Sequence, residues 1–335
     1  MRKKLIAAIV LLFSFFGFLF FENQAKTYYP PQKEYHRIVI LSDAHYPSKL
    51  SAEENANGRQ TKIDNKLRAI NDINAWSDVD LVVFLGDIVE KLGNESDYAQ
   101  AKEFVDKLTK PKALVVGNHE FMYEDQLTAS GKLKWASPDL REAKLERFKN
   151  TFKVNNIYYY QYIDNYLLIF LSPDVTSGKY LTEISAQQLS WLEETLASNK
   201  TKPTLIFFHA PLAGTLAQYN KEVNTPNFIA QPEKQLHNLL IKNPQILLWV
   251  SGHTHTPATN PSFDETINLY GGKILDLHNY ATKMHNICLG DNILKFNNKL
   301  YKQKEITYSI SIPYFTTSTL STFYNFVLMK DLIGE

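Results

Sequence analysis

Apolar residues fall along the chain in two patterns. Short runs that are almost wholly apolar occur at Arg37–Leu41, Leu81–Leu85, Ala113–Val116, Thr204–Phe208 and Ile246–Val250. Runs of this length and composition predict strands buried on both faces. Between them, apolar residues recur at helical spacing. Ile63, Leu67, Ile70 and Ile73 mark a helix around Asn65–Trp76. The same spacing predicts helices over Ser96–Leu108 (capped by Ser96), Asp139–Phe152, Ser185–Ser198 and Glu233–Leu240. Tyr158–Tyr162 and Tyr166–Leu171 flank Asp164-Asn165 and predict a hairpin, so the strands are mixed in direction. Strands alternating with helices predict an α/β fold in which helices cover a sheet on both faces. Past His255 the pattern changes. Residues 265–313 read as short strands with turns at Gly271-Gly272 and Gly290-Asp291-Asn292. Leu320–Leu332 reads as a helix too short and too polar to span a membrane.

One apolar segment stands apart. Arg2, Lys3 and Lys4 precede an uncharged, mostly apolar run from Leu5 to Phe21. A basic flank followed by such a run predicts a hydrophobic N-terminal helix, either a cleaved signal peptide or a membrane anchor. The run exceeds a typical signal core of ~7–15 residues and sits at the short end of the ~17–25 residues of a spanning helix. Ala25 suits a cleavage site and Asn23 does not, so both alternatives stand. In either case the body of the protein is expected to be exported, with the basic end left inside. The chain then divides into 1–25 (signal peptide or anchor), 26–35 (linker with Pro30 and Pro31), 36–313 (main domain, with the late β region from about 265) and 314–335 (tail or helix).

Composition narrows the classes. The chain has 335 residues, 44% hydrophobic and 21% charged, which is a globular composition with enough length for a large core. A formal net charge of +1 supplies no overall pull toward nucleic acid. The single cysteine, Cys288, excludes an intrachain disulfide and cysteine-rich zinc modules. A mean hydropathy of −0.28 excludes a multi-span membrane protein.

The chemistry lies at the strand ends. The five apolar runs are followed by Ser42-Asp43-Ala44-His45, Gly86-Asp87, Gly117-Asn118-His119-Glu120, His209, and Ser251-Gly252-His253-Thr254-His255. In open α/β sheets the carboxyl ends of strands face the ligand crevice. The five segments are therefore expected to converge. Asp, Asn and His supply oxygen and nitrogen donors without thiolate, a set that suits Mn, Fe or Zn. There are more such donors than one tetrahedral ion takes, which points to two divalent or trivalent ions sharing a carboxylate. Gly86, Gly117 and Gly252 each precede a candidate ligand, where the chain must turn and approach closely.

These blocks, in this order, resemble the calcineurin-like metallophosphoesterases, whose pattern runs D-x-H, G-D-x-x-D, G-N-H-[DE], H and G-H-x-H. Gly178, Leu181, Gln188, Trp191-Leu192 and Leu196, leading into Lys202-Pro203 and His209-Ala210-Pro211, add a softer likeness. The resemblance spans roughly residues 36–258. It implies a four-layer α-β-β-α sandwich with two mixed sheets. It implies that Asp43, His45, Asp87 and His255 hold one metal and that Asp87, Asn118, His209 and His253 hold the other. His119 would be a general acid or charge stabiliser, oriented by the acid of the second block, which in this chain is Glu90. The implied activity is hydrolysis of a phosphomonoester or phosphodiester by direct attack of hydroxide held between two metals, without a covalent enzyme intermediate. Glu90 stands where purple acid phosphatases carry tyrosine, and Lys91 where phosphoprotein phosphatases carry arginine, so neither subclass is expected.

The remaining chain after His255 is too short for the substrate domain of a two-domain nucleotidase. Small phosphomonoesters, cyclic nucleotides or other phosphodiesters, and envelope lipid or polymer phosphates stay open as substrates. No nucleic acid is expected, the sequence predicts no particular protein partner, and the membrane is a partner only through an uncleaved N-terminal segment. His36, His237, His278 and His285 are expected to be structural and Lys91 solvated. The loop from Phe121 to Pro138, with Tyr123 and Trp135, either walls the substrate site or is a surface loop with one buried aromatic. The rival to an enzyme is a non-catalytic metal-binding or surface interaction protein on the same fold.

Overall fold

The computed structural model describes residues 35–48, 56–257, 260–263, 266–278, 285–290, 293–296 and 299–302. The N-terminal hydrophobic run, the linker up to residue 34 and the 314–335 tail lie outside the described residues.

The strands form two six-stranded sheets. The first is built on β1 (His36–Leu41), β2 (Val79–Phe84) and β3 (Lys112–Leu114), which run parallel. It is extended on the other side of β1 by the antiparallel β10 (His285–Gly290), β11 (Ile293–Phe296) and β12 (Lys299–Lys302). The second runs in the order β4 (Tyr159–Ile163), β5 (Tyr166–Phe170), β6 (Thr204–Phe207), β7 (Ile246–Ser251), β9 (Ile274–His278) and β8 (Leu269–Tyr270). Its centre, β5-β6-β7-β9, is parallel, and the β4-β5 hairpin and β8 are antiparallel.

Alternation along each apolar strand explains the layering, because successive side chains point to opposite faces. Ile38, Ile40, Leu81 and Val83 pack between the sheets against Leu168, Phe170, Leu205, Phe207, Leu248 and Val250. Val39, Leu41, Val82 and Phe84 face the other way, onto α1 (Ala56–Ala75), α2 (Glu95–Asp106) and α4 (Pro138–Phe152) through Ile70, Ile73, Tyr98, Phe104 and Phe148. Leu167, Ile169, Ile206 and Trp249 pack on α5 (Ala186–Ser198) and α6 (Glu233–Ile241) through Leu192, Leu196, Leu236 and Leu240. The result is helices, sheet, sheet and helices in sequence. A fully buried side chain of this kind contributes ~1.5–3 kcal/mol relative to leaving it in water.

Some boundaries differ from the sequence reading. The cap of α2 is Asn94, not Ser96, because the Asn94 side chain accepts the Asp97 amide at 2.9 Å. β3 stops at Leu114, and the Val116 amide turns to the Ser172 hydroxyl at 3.0 Å as the chain leaves the sheet. The strands past residue 265 are not an appendage. β10 adds to the first sheet beside β1 and β9 to the second beside β7, so the late residues complete both sheets.

Candidate metal centre

All five blocks lie at the carboxyl ends of parallel strands. Asp43 and His45 follow β1, and Asp87 follows β2. Asn118 and His119 open the single turn α3 (Asn118–Phe121) after β3. His209 follows β6, and His253 and His255 follow β7. Backbone bonds tie neighbouring segments: the His45 amide donates to the Asp87 carbonyl at 2.8 Å, and the Gly252 amide to the His209 carbonyl at 2.8 Å. Asp43, His45, Asp87, His253 and His255 all hold left-handed backbone, with φ of 51°, 41°, 51°, 67° and 48°. Non-glycine residues rarely adopt this region, and each costs ~1–3 kcal/mol unless its surroundings hold it. The glycines are there for close approach: a Cβ on Gly117 would lie 2.3 Å from Asp87 Oδ1, and one on Gly252 2.6 Å from Asp43 Oδ2.

Among the described residues three triads bring one potential ligand atom each to within 4.8 Å of one another: Asp43-His45-His255, His45-Asp87-His119 and Asp87-His209-His253. Asp87 belongs to two of them. Its Oδ2 lies 3.3 Å from His209 Nε2 and 3.7 Å from His45 Nε2. His45 Nε2 lies 3.2 Å from His255 Nε2, which is 3.3 Å from Asp43 Oδ1. His209 Nε2 also faces Asn118 Oδ1 at 3.2 Å.

The outer ring nitrogens decide what the inner ones are. His45 Nδ1 meets the Glu90 carbonyl at 3.1 Å, His209 Nδ1 the Leu85 carbonyl at 2.7 Å, and His253 Nε2 the Asn227 carbonyl at 2.9 Å. A carbonyl only accepts, so each of these nitrogens carries the hydrogen and the opposite nitrogen of the neutral ring is a lone pair. Inward lone pairs then face carboxylate and amide oxygens, acceptor against acceptor. Such a set is satisfied by a cation, and imidazoles pinned in this way are typical metal ligands. A proton is the alternative cation. Burial pulls the His209 imidazolium down, yet the Asp87 carboxylate beside it pushes its pKa up to about 9. Burial would raise Asp43 and Asp87; His255 holds Asp43 below the usual carboxylate range, and His209, His119 and His45 hold Asp87 well below it. Burial and the charge of His209 bring His253 down to about 3. The residues present therefore fit a two-metal centre.

Glu90 is placed differently from expectation. Its carboxylate pairs with Arg59 at 3.3 Å, while His119 Nδ1 meets the Lys91 main-chain carbonyl at 2.5 Å. The longer Glu side chain turns to a cation on α1, and the backbone of the next residue takes the histidine. The loop after α3 divides between its two readings: Tyr123 is buried with its ring 5.0 Å from that of His119, whereas Trp135 is 38% exposed and packs on Arg141. His36 pairs with Asp164 at 2.6 Å, and His237 with the Tyr270 hydroxyl at 3.0 Å.

Several supporting residues escaped the sequence reading. Glu120 is fully buried, and its carboxylate accepts the amides of Ile88 and Gly117 at 2.7 Å, Asp87 at 2.8 Å and Val89 at 3.2 Å. It thereby fixes the turn that presents Asp87. Burial and the Asp87 charge push the Glu120 carboxyl up to about 7, against the pull of these amides. Lys66 donates to the His45 and Pro47 carbonyls at 3.2 and 2.9 Å. Asp276 on β9 accepts from the Leu212 amide at 2.7 Å, the Thr215 hydroxyl at 2.8 Å and the Ser251 hydroxyl at 2.9 Å, joining the segments that carry His209 and His253. Glu120 stood in the Gly-Asn-His-Glu block, but nothing local to it tells which amides it collects.

A family model described as calcineurin-like phosphoesterase matches residues 36–257. The chain belongs to this family. It is accordingly a hydrolase of phosphoric ester bonds in a metal-dependent family, with the triads above as its candidate metal-binding groups. A probable glycerophosphodiester phosphodiesterase, GpdQ, of Arcobacter nitrofigilis is 26% identical over 223 residues, covering 66% of this chain and 72% of that protein. A dimetal phosphatase from Danio rerio superposes with a TM-score of 0.54 at 15% identity, over 79% of this chain and 96% of the other. A purple acid phosphatase from yellow lupin (Lupinus luteus) superposes with a TM-score of 0.50 at 16% identity, over 86% of this chain and 58% of the other. These two structural likenesses bear on the fold, a two-sheet α/β architecture that this calcineurin-like phosphoesterase shares.

Proposed function

We propose that this protein is an exported phosphodiesterase acting on small phosphodiesters at a two-metal centre. The observation that carries the chemistry is the inward set of lone pairs and carboxylates from Asp43, His45, Asp87, Asn118, His209, His253 and His255. The choice of a diester is supported by the similarity to a probable glycerophosphodiester phosphodiesterase. Asp43, His45, Asp87 and His255 would hold one ion, and Asp87, Asn118, His209 and His253 the other, with Mn, Fe or Zn matching the donors. Two such ions, when bound, lower the pKa of water and offset phosphoryl charge. The chain's own part is to hold the donors rigidly, through Glu120, Lys66 and the carbonyl-pinned imidazoles. His119 adds a proton donor. Its Nδ1 hydrogen meets the Lys91 carbonyl, so the donor would be the imidazolium, whose Nε2 hydrogen goes to the departing oxygen and leaves the ring neutral.

The test is hydrolysis after chelator stripping and reloading with Mn, Fe or Zn, comparing bis(p-nitrophenyl) phosphate with p-nitrophenyl phosphate. Faster turnover of the diester is expected. Preference for the monoester would overturn the diester reading, and metal uptake without any turnover would favour the non-catalytic binding protein. Export is supported by Arg2-Lys3-Lys4 ahead of Leu5–Phe21. Residues 1–35 fused to a reporter active only outside the cytoplasm should give activity; an inactive reporter on an intact fusion would overturn export.

A further inference from the structure

Among the described residues nothing accepts the phenolic hydrogen of Tyr123. The Asn118 carboxamide presents Oδ1 toward His209 Nε2 at 3.2 Å and Nδ2 toward the Tyr123 hydroxyl at 3.2 Å. An amide nitrogen only donates, so the phenolic oxygen accepts. A metal held by Asn118 would take the amide oxygen, which favours the same orientation. Having accepted from Asn118, the phenol still owns an O–H. Among the described residues that hydrogen meets no acceptor, in a residue only 6% exposed. A buried tyrosine O–H usually finds an acceptor.

The position narrows what the missing acceptor is. The His45 and His119 rings stand 4.9 Å apart and the His119 and Tyr123 rings 5.0 Å apart, one row along the edge of the metal centre. The backbone around Tyr123 is fixed: the Ala136 amide donates to Met122 at 2.9 Å and the Glu124 amide to Lys134 at 2.8 Å. The phenol is thus a rigid, neutral donor beside the group that would protonate the leaving oxygen. We propose that the Tyr123 hydroxyl donates a hydrogen bond to a phosphoryl oxygen of the bound ester, making it a further catalytic residue that rests on the phosphoesterase reading above. A donor aimed at an oxygen that gains charge strengthens as the reaction proceeds.

Tyr123→Phe in the full chain, reloaded with Mn, tests this. The variant keeps the ring and its packing on His119. Removal of one such donor typically costs ~10²–10³ in kcat, and a fall of roughly 10²-fold is expected with metal stoichiometry unchanged. Inorganic phosphate, titrated calorimetrically into the Mn-loaded protein, should bind several-fold more weakly to the variant. Replacement of Tyr123 by 3-fluorotyrosine, a stronger donor of nearly the same size, should tighten phosphate binding. Unchanged kcat and phosphate affinity in Tyr123→Phe would overturn the proposal. So would a rate loss that excess Mn fully restores, since that would make Tyr123 a positioning residue for Asn118. If the wild-type protein turned over no phosphoester, the phosphoesterase reading would fail, while the phosphate titrations would still decide whether the phenol binds a phosphoryl group.

Discussion

The two halves of the metal centre are built to different standards of closure. Around His209 and His253 both imidazoles are buried, and each has its outer nitrogen on a main-chain carbonyl. Phe228 stacks on His253 at 5.0 Å, and Asp276 ties the two carrying segments together from below. Around Asp43 and His45 the closure is one-sided. His45 is pinned by Glu90 and Lys66, but His255 leaves 40% of its side chain in solvent. A closed half would hold an ion through preset geometry. An open half would exchange its ion more readily and leave room for substrate. Asp87, shared between them, is where the halves meet.

Losing that shared group should have the largest effect. Asp87→Ala is expected to abolish measurable hydrolysis and to lower bound metal to one ion or none, read by elemental analysis after gel filtration. Two ions retained with full occupancy would mean that the halves do not share a ligand. Next comes His119, beside the seam. His119→Ala should cut turnover by ~10²–10⁴ while both ions remain. The loss should shrink for esters with good leaving groups, which need no proton. An equal loss across leaving groups with both ions kept would make His119 a charge stabiliser rather than an acid, and loss of an ion would make it a ligand, as its triad with His45 and Asp87 allows.

Removing one imidazole from each half sharpens the comparison directly. His209→Ala should lose the closed-half ion even in excess metal. His255→Ala should weaken the open-half ion, with activity recovering as Mn is raised, because ligand loss at an exposed position is partly replaced by water. Metal titrations of the two variants check this, and equal recovery would erase the distinction. The smallest effect is expected at Glu90. Its carboxylate meets Arg59 rather than His119, and a partly exposed ion pair is worth ~0–1 kcal/mol. Glu90→Gln should therefore change kcat by less than about fivefold; a drop comparable to that of His119→Ala would restore the carboxylate as its orienting group.

Much of this protein was determined within short stretches of its sequence. Strand identity follows from apolar runs a few residues long, and the two-layer burial follows from their alternation. Ligand chemistry follows from Asp, Asn and His placed directly after those runs, since a strand end and the residue beyond it are covalently adjacent. Other features needed the tertiary structure because they join positions far apart in the chain. Glu90 and Lys91 are adjacent in sequence, and only three-dimensional placement gave His119 the Lys91 carbonyl and sent the Glu90 carboxylate to Arg59. The left-handed backbone at Asp43, His45, Asp87, His253 and His255 is held by crossing contacts such as the His253 amide on Asp43 at 3.0 Å, which no local propensity encodes. Glu120 gathers amides from two separate loops, and Asp276 reaches back to Ser251 and Leu212. That the Tyr123 hydroxyl accepts from Asn118 and has no acceptor of its own among the described residues depends on how Asn118 turns its amide. Residue type and spacing along the chain specified which groups would meet; the packing of two sheets decided how each is aimed, because orientation depends on partners that sequence proximity does not supply.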